Sequence, residues 1–260
     1  MIPLEDNFAD IIDKAQRGLG FSDGVLAGGA GVSVDELCAV KAERFDERVV
    51  RRLAAPLRLG ADALADRAWH PAARQMSGLA SFTTRYGGMS VNAYVAHDSV
   101  RAAAFDTGAD AAPLLAFLSD RSLMLELLLL THCHSDHVGE LYRLKTCAFA
   151  SEREPVAGTE TFSDGHVFCV GNLQIEARRT SGHTPGGTSY VVRGLEHIVV
   201  VTGDALFAGS IGGAPFAYEE ALRYDREQVL TLPDDTIICP GHGPLTTVGE
   251  EKRHNPFFTA

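Results

Sequence analysis

The chain of 260 residues is short of cations: 23 lysines and arginines stand against 34 aspartates and glutamates, a net charge of −11. Binding to nucleic acid or anionic lipid rests on clustered positive charge, so neither is expected as a partner. Long apolar runs are missing as well. The longest, Leu123 to Leu130, is interrupted by Glu126 and falls far short of the ~20 residues of a membrane-spanning helix. The opening MIPLEDNFAD is acidic where a secretory signal would be basic and then apolar. Five cysteines (Cys38, Cys133, Cys147, Cys169 and Cys239) are scattered without a CxxC pair, which argues against a disulfide framework and against a cysteine zinc knuckle. A reducing cytoplasm is the expected compartment. No GxSxG elbow offers a nucleophilic serine, and neither a fixed-period repeat nor a low-complexity stretch is present.

What remains is an ordinary folded composition, 45% hydrophobic and 22% charged. Two parts read differently. In residues 1–70, Phe8, Ile11, Ile12, Ala15 and Leu19 fall on one helical face, Ser33-Val34-Asp35-Glu36 has the form of a capping box, and Val49, Val50 and Leu53 begin another helix. Trp69, His70 and Pro71 mark the linker. Residues 71–260 then alternate β-rich runs (Val91–Val95, Arg101–Phe105, Met124–Leu130, Val167–Val170, Leu173–Ala177, Ser189–Val192, His197–Val201, Thr236–Cys239) with helical spacing in Ala111–Leu118, Val138–Leu144 and Glu219–Leu230. That interleaving predicts an α/β layered catalytic domain behind a small all-α one.

Chemistry concentrates in Thr131-His132-Cys133-His134-Ser135-Asp136-His137, which follows an apolar strand and precedes helical spacing. Residues two apart in an extended chain point the same way, so His132 and His134 can chelate one ion. The turn after them re-aims Asp136 and His137 toward a second position. Three more pieces sit at strand ends: Ser181-Gly182-His183-Thr184, Thr202-Gly203-Asp204 and Cys239-Pro240-Gly241-His242-Gly243. Imidazole and carboxylate without thiolate suit zinc, iron or manganese. Cys133, between two candidate ligands, reads as filler with its side chain turned away.

The ordered set HxHxDH, GHT, GD and GHG resembles the metallo-β-lactamase-fold hydrolases, and within them the glyoxalase II-like group, from about residue 80 to the end. The resemblance implies a four-layer αββα sandwich with metals at one edge. It implies that His132, His134 and His183 hold one ion, that Asp136, His137 and His242 hold the other, and that Asp204 bridges them. Asp136 and Asp204 are the carboxylates it places at the reaction itself. Two divalent ions, zinc foremost, would supply a hydroxide nucleophile for hydrolysis of a small thioester or activated ester. The tail from Thr246 to Phe257 also looks like the ending of such hydrolases.

Two departures bear on the substrate. Glyoxalase II enzymes carry a basic residue after the GD motif for glutathione, whereas Ser210-Ile211-Gly212-Gly213-Ala214 offers no cation, and their C-terminal helical domain is replaced by helices at the N-terminus. Arg178, Arg179 and Tyr190 are candidates to assist, with a structural role preferred for each. Rival readings are a persulfide dioxygenase, in which two His and one Asp hold a single iron, and a ligand-sensing regulator. The latter arises because Leu26 to Lys41 resembles the helix-turn-helix core of Cro and phage-repressor domains, with Gly31 in the turn and Ser33 as cap. Nine basic and 12 acidic residues in 1–70, with Asp35 and Glu36 opening the would-be recognition helix, favour a unit that packs on the catalytic domain or on a partner subunit, a homo-oligomer included.

Overall fold

Side-chain caps start the N-terminal helices. In the computed structural model, which describes residues 2–215 and 217–260, Asn7 caps α1 (Phe8–Gly18), Ser22 caps α2 (Asp23–Ala30), Ser33 caps α3 (Val34–Lys41) and Asp46 caps α4 (Glu47–Ala54). Each side-chain oxygen accepts a first-turn N–H that no helical carbonyl can reach. The box at Ser33 closes as its sequence predicts, the Ser33 N–H donating to Glu36 at 2.7 Å. α5 (Ala61–Ala65) completes the group. Ile12, Leu26, Leu37, Val50 and Leu53 form its core, and that core also takes in Ile211, Tyr218, Leu222 and Phe257 from the far end of the chain. The helices therefore share apolar interior with the rest of the molecule.

Two six-stranded sheets follow. The first runs β1 (Leu79–Tyr86), β2 (Met89–His97), β3 (Arg101–Phe105), β4 (Met124–Leu129), β5 (Cys147–Ser151), β6 (Glu160–Phe162) in spatial order. Its first three strands pair antiparallel and the rest parallel. The second contains β7 (Val167–Val170), β8 (Leu173–Arg179), β9 (Thr188–Arg193), β10 (Val199–Gly203), β13 (Ile237–Pro240) and β14 (Thr246–Thr247), and a small hairpin of β11 (Leu206–Phe207) and β12 (Ser210–Ile211) lies beside it.

Period-two alternation explains the layering. On β2 and β3, Tyr94, Ala96, Ala103 and Phe105 face the opposing sheet, where they meet Ile175, Tyr190 and Val201. Ala93, Val95, Ala102 and Ala104 point outward onto Leu114 and Leu118 of α6 (Ala112–Asp120). Outside the second sheet, Val191, Val200 and Ile238 pack on Val229, Leu230 and Val248, the last opening α9 (Val248–His254). With both faces of each sheet covered, the order is αββα. No described helix is long and apolar enough to cross a membrane.

β1, β5, β6, β11, β12 and β14 lie outside the strands read from the sequence, and two of the expected helices take another form. Helical spacing over Val138–Leu144 yields only the one-turn α7 (Ser135–Val138) and a 3₁₀ turn at Leu141–Arg143. Thr107 takes the backbone bonds a continuous helix would need: its N–H and hydroxyl donate to the His137 carbonyl at 2.8 and 3.0 Å, and its Oγ1 accepts from the Glu140 N–H at 3.3 Å. The spacing over Glu219–Leu230 becomes α8 (Tyr218–Tyr224) and one π turn, Asp225–Val229, closed by Leu230 N–H on the Asp225 carbonyl.

Candidate metal centre

The motif residues lie at one edge of the sandwich, each in a loop that leaves a strand: Asp106 after β3, His132 after β4, His183 after β8, Asp204 after β10 and His242 after β13. Gly203 permits the turn after β10 with φ of +51°, and a Cβ there would come within 2.4 Å of the Thr131 hydroxyl. A Cβ on Gly241 would lie 2.2 Å from Asp204 Oδ1 and 2.8 Å from His137 Cε1. Absence of a side chain at that point leaves room for the ligand atoms to converge.

Their convergence forms two groups. His132, His134, His183 and Asp204 each turn one ligand atom inward within 4.8 Å of the others, and Asp136, His137 and His242 do the same. His134 Nδ1 lies 3.1 Å from Nε2 of both His132 and His183. Asp204 stands between the groups, with Oδ2 at 3.5 Å from His183 Nε2 and 3.4 Å from His242 Nε2, and Oδ1 at 3.4 Å from His137 Nε2. A tetrahedron of zinc–nitrogen bonds near 2.05 Å has edges of about 3.3 Å, so these separations suit a shared cation.

Outer partners fix which nitrogen faces inward. His137 Nδ1 donates to Asp106 at 2.8 Å, His242 Nδ1 to the Ser90 carbonyl at 2.6 Å and His183 Nδ1 to the Gly213 carbonyl at 2.8 Å. Each Nε2 is left free as a ligand. Asp106, at φ +56°, also accepts the Thr131 N–H and hydroxyl at 2.7 and 2.8 Å, and Thr131 Oγ1 lies 3.0 Å from His132 Nδ1. One carboxylate thereby supports ligands of both groups.

Burial lowers His132 and His183 from the ordinary imidazole value, which keeps them in the ligating neutral form. For His137 burial pulls the same way, but Asp106 and Asp204 outweigh it and raise the group well above that value. Asp204, although burial opposes ionisation, is held well below the usual carboxylate range by His137, His242 and His132. Buried His137 Nε2 and Asp204 Oδ1 have no hydrogen-bond partner among the described residues. Unpaired buried atoms of this kind are costly, and a cation bound between them would satisfy both.

A sequence profile described as the metallo-beta-lactamase superfamily matches residues 86–242. The chain belongs to that superfamily. Hydroxyacylglutathione hydrolase GloC of Haemophilus influenzae is 32% identical over 192 residues, covering 63% of this chain and 90% of that protein. Among solved structures, the BLEG-1 B3 metallo-beta-lactamase is 30% identical with a TM-score of 0.61, covering 70% of this chain and 100% of the other. ETHE1 from Myxococcus xanthus is 27% identical with a TM-score of 0.60, covering 69% and 84%. This superfamily hydrolase thus carries a candidate metal-binding cluster of the expected seven residues.

The remaining candidates sort by exposure. Tyr190 is wholly buried, its hydroxyl donating to the Leu130 carbonyl at 2.7 Å, so it cannot assist a substrate. Arg178 is paired with Glu176 and Arg179 with Glu220. Burial, with Glu154 nearby, pushes the Cys133 thiol up to about 11, which leaves little thiolate at neutral pH. Asp106 escaped the sequence reading. Its signal, visible only in retrospect, is an Asp-Thr-Gly directly after the Ala-rich strand β3.

Proposed function

We propose that this superfamily hydrolase holds two divalent ions, zinc foremost with iron or manganese as substitutes, and cleaves thioesters or similarly activated esters. The carrying observation is the pair of ligand groups that share Asp204. His132, His134 and His183 would hold one ion, Asp136, His137 and His242 the other, with Asp204 between them. Two such ions supply electrophilic charge and acidify water toward a pKa of about 7.

The chain's own part is to position and to keep protons in place. Asp106 keeps the His137 proton on Nδ1 and, through Thr131, orients His132. Asp204 is held ionised by the imidazoles around it. With seven side chains committed as ligands, none of them remains to protonate a leaving group. An amine departing from an amide needs that proton, whereas a thiol with a pKa of about 8.5 departs as thiolate. The name of the hydroxyacylglutathione hydrolase relative points toward the same bond type.

The test is elemental analysis of the purified protein, followed by kcat/KM for matched acyl groups on sulfur, oxygen and nitrogen. Two ions per chain and a preference for sulfur are expected. An amide or β-lactam turned over as fast as its thioester counterpart would overturn the proposal. So would oxygen consumption with a persulfide in the absence of hydrolysis, the behaviour of the mononuclear alternative.

A further inference from the structure

One hairpin touches loops that carry ligands of both groups. β1 and β2 pair in register as far as Tyr86 and Met89, and Gly87 and Gly88 close the turn, Gly87 at φ +58°, a left-handed value that a two-residue hairpin loop reserves for glycine. Strand alternation turns Thr83 and Asn92 inward, where Thr83 donates to Asn92 at 2.8 Å and Asn92 Nδ2 donates to the Pro240 and Gly243 carbonyls at 3.0 and 2.9 Å. Nearer the tip, the Ser90 carbonyl holds His242. Thr84 accepts the Ala109 N–H at 3.0 Å, in the loop that begins with Asp106.

The tip itself stands clear of the body. A Cβ on Gly87 or Gly88 would meet nothing within 4 Å, and both Tyr86 and Met89 are exposed. Tyr86 nonetheless makes one directed contact: its hydroxyl shares a hydrogen bond of 2.7 Å with the Ser135 hydroxyl. Ser135 stands between the ligands His134 and Asp136 and opens the single turn of α7. Asp106 holds the start of this segment at Thr131, and Thr107 holds its end at the His137 carbonyl. Between those supports His134 is exposed, and among the described residues its ring has hydrogen-bond contacts only with the imidazoles of His132 and His183.

From this placement we infer that Tyr86 is a positioning residue of the metal centre: by fastening Ser135 it keeps His134 where its Nδ1 reaches the ion shared with His132 and His183, so that the hairpin tunes the affinity of that half. The inference rests on the ligand set proposed above and deepens it. Both hydroxyls are exposed and water competes for their bond, so the effect on ion affinity is about two- to tenfold.

The experiment titrates zinc into the full-length protein against a competing chelator and counts bound ions by elemental analysis. Tyr86→Phe, which deletes only the hydroxyl, and Ser135→Ala should each weaken one of the two ions by about two- to tenfold. Because the two hydroxyls act as a pair, the double variant should lose no more than the greater single loss. Met89→Ala alters the same tip but makes no bond to the ligand turn, and it should bind zinc as wild type does. The melting temperature of the metal-free protein should be the same in Tyr86→Phe as in wild type. Unchanged zinc affinity in Tyr86→Phe, additive losses in the double variant, an equal loss in Met89→Ala, or a lower melting temperature of metal-free Tyr86→Phe would each overturn the assignment. A single ion per chain in wild type, still weakened by Tyr86→Phe, would remove the two-ion reading and support the tether.

Discussion

Of the two ligand groups, the one formed by Asp136, His137 and His242 has both of its imidazoles buried, whereas in the one formed by His132, His134 and His183 only His132 is. His137 is fully buried and His242 nearly so, and their outer nitrogens are held by Asp106 and the Ser90 carbonyl. His134 is exposed and His183 partly so. Nothing among the described residues tethers the Nε2 of His134, whose only side-chain hydrogen-bond contacts are with its fellow imidazoles through Nδ1. Depth and tethering set how much structure must move before an ion leaves. The deep half is expected to resist removal, and the open half to exchange with solvent and substrate.

Asp204 joins the halves, so Asp204→Ala should give the largest effect. Both ions should be lost, and kcat/KM should fall by more than the roughly 10–100-fold typical of losing an outer partner. A variant that keeps both ions and its turnover would break the comparison at its root. Next comes Asp106→Ala, which strands the Thr131 N–H and unties His137. About 10–100-fold in metal affinity and roughly 1–3 kcal/mol in stability should follow. In wild type a chelator should empty the open half first, in two phases read by elemental analysis, and Asp106→Ala should draw the phases together. A single phase in wild type would show the halves to be equivalent.

A third effect, on stability and not on metal binding, concerns a buried carboxyl outside both groups. Glu251 of α9 accepts from Thr246 at 2.7 Å, Asn255 at 2.8 Å and the Gly209 N–H at 3.0 Å, yet burial pushes its carboxyl up to about 7. The native state then binds the proton more tightly than the unfolded chain does. Stability should decline as pH rises from the ordinary carboxyl value toward 7 and level off above it, by up to about 3 kcal/mol. Glu251→Gln should flatten that slope in urea melts at pH 5 and pH 8, and a slope unchanged by the substitution would place its origin elsewhere. The smallest expected change is at Arg58, which pairs with Glu219 on the surface at 2.7 Å. Arg58→Ala should cost no more than about 1 kcal/mol and leave both phases of metal loss as they are.

The candidate metal cluster was legible because each member stands next to a glycine or another ligand-type residue at a strand end, and such density in a short turn has few structural uses. Apolar runs likewise exposed the central strands of both sheets, since a strand buried on both faces is continuously apolar, as in Val199 to Val201, while β1 and β6 carry no such run. Asp106 was not legible, because one aspartate after a strand looks like any turn opener and its role depends on Thr131 and His137 arriving from elsewhere. The helix expected over Val138–Leu144 was undone by Thr107, a tertiary partner invisible to periodicity.

Lys14 holds the Ile211 carbonyl, and Ile211 pairs with Leu206, two residues beyond Asp204. Any local opening that lifts α1 must first let go of this hairpin, and closure must restore it. The residence time of the proposed ions would then be partly a property of the first helix. Amide exchange at Leu206 and Ile211 should keep pace with exchange in α1, and the clock for metal turnover would be read there rather than at the imidazoles.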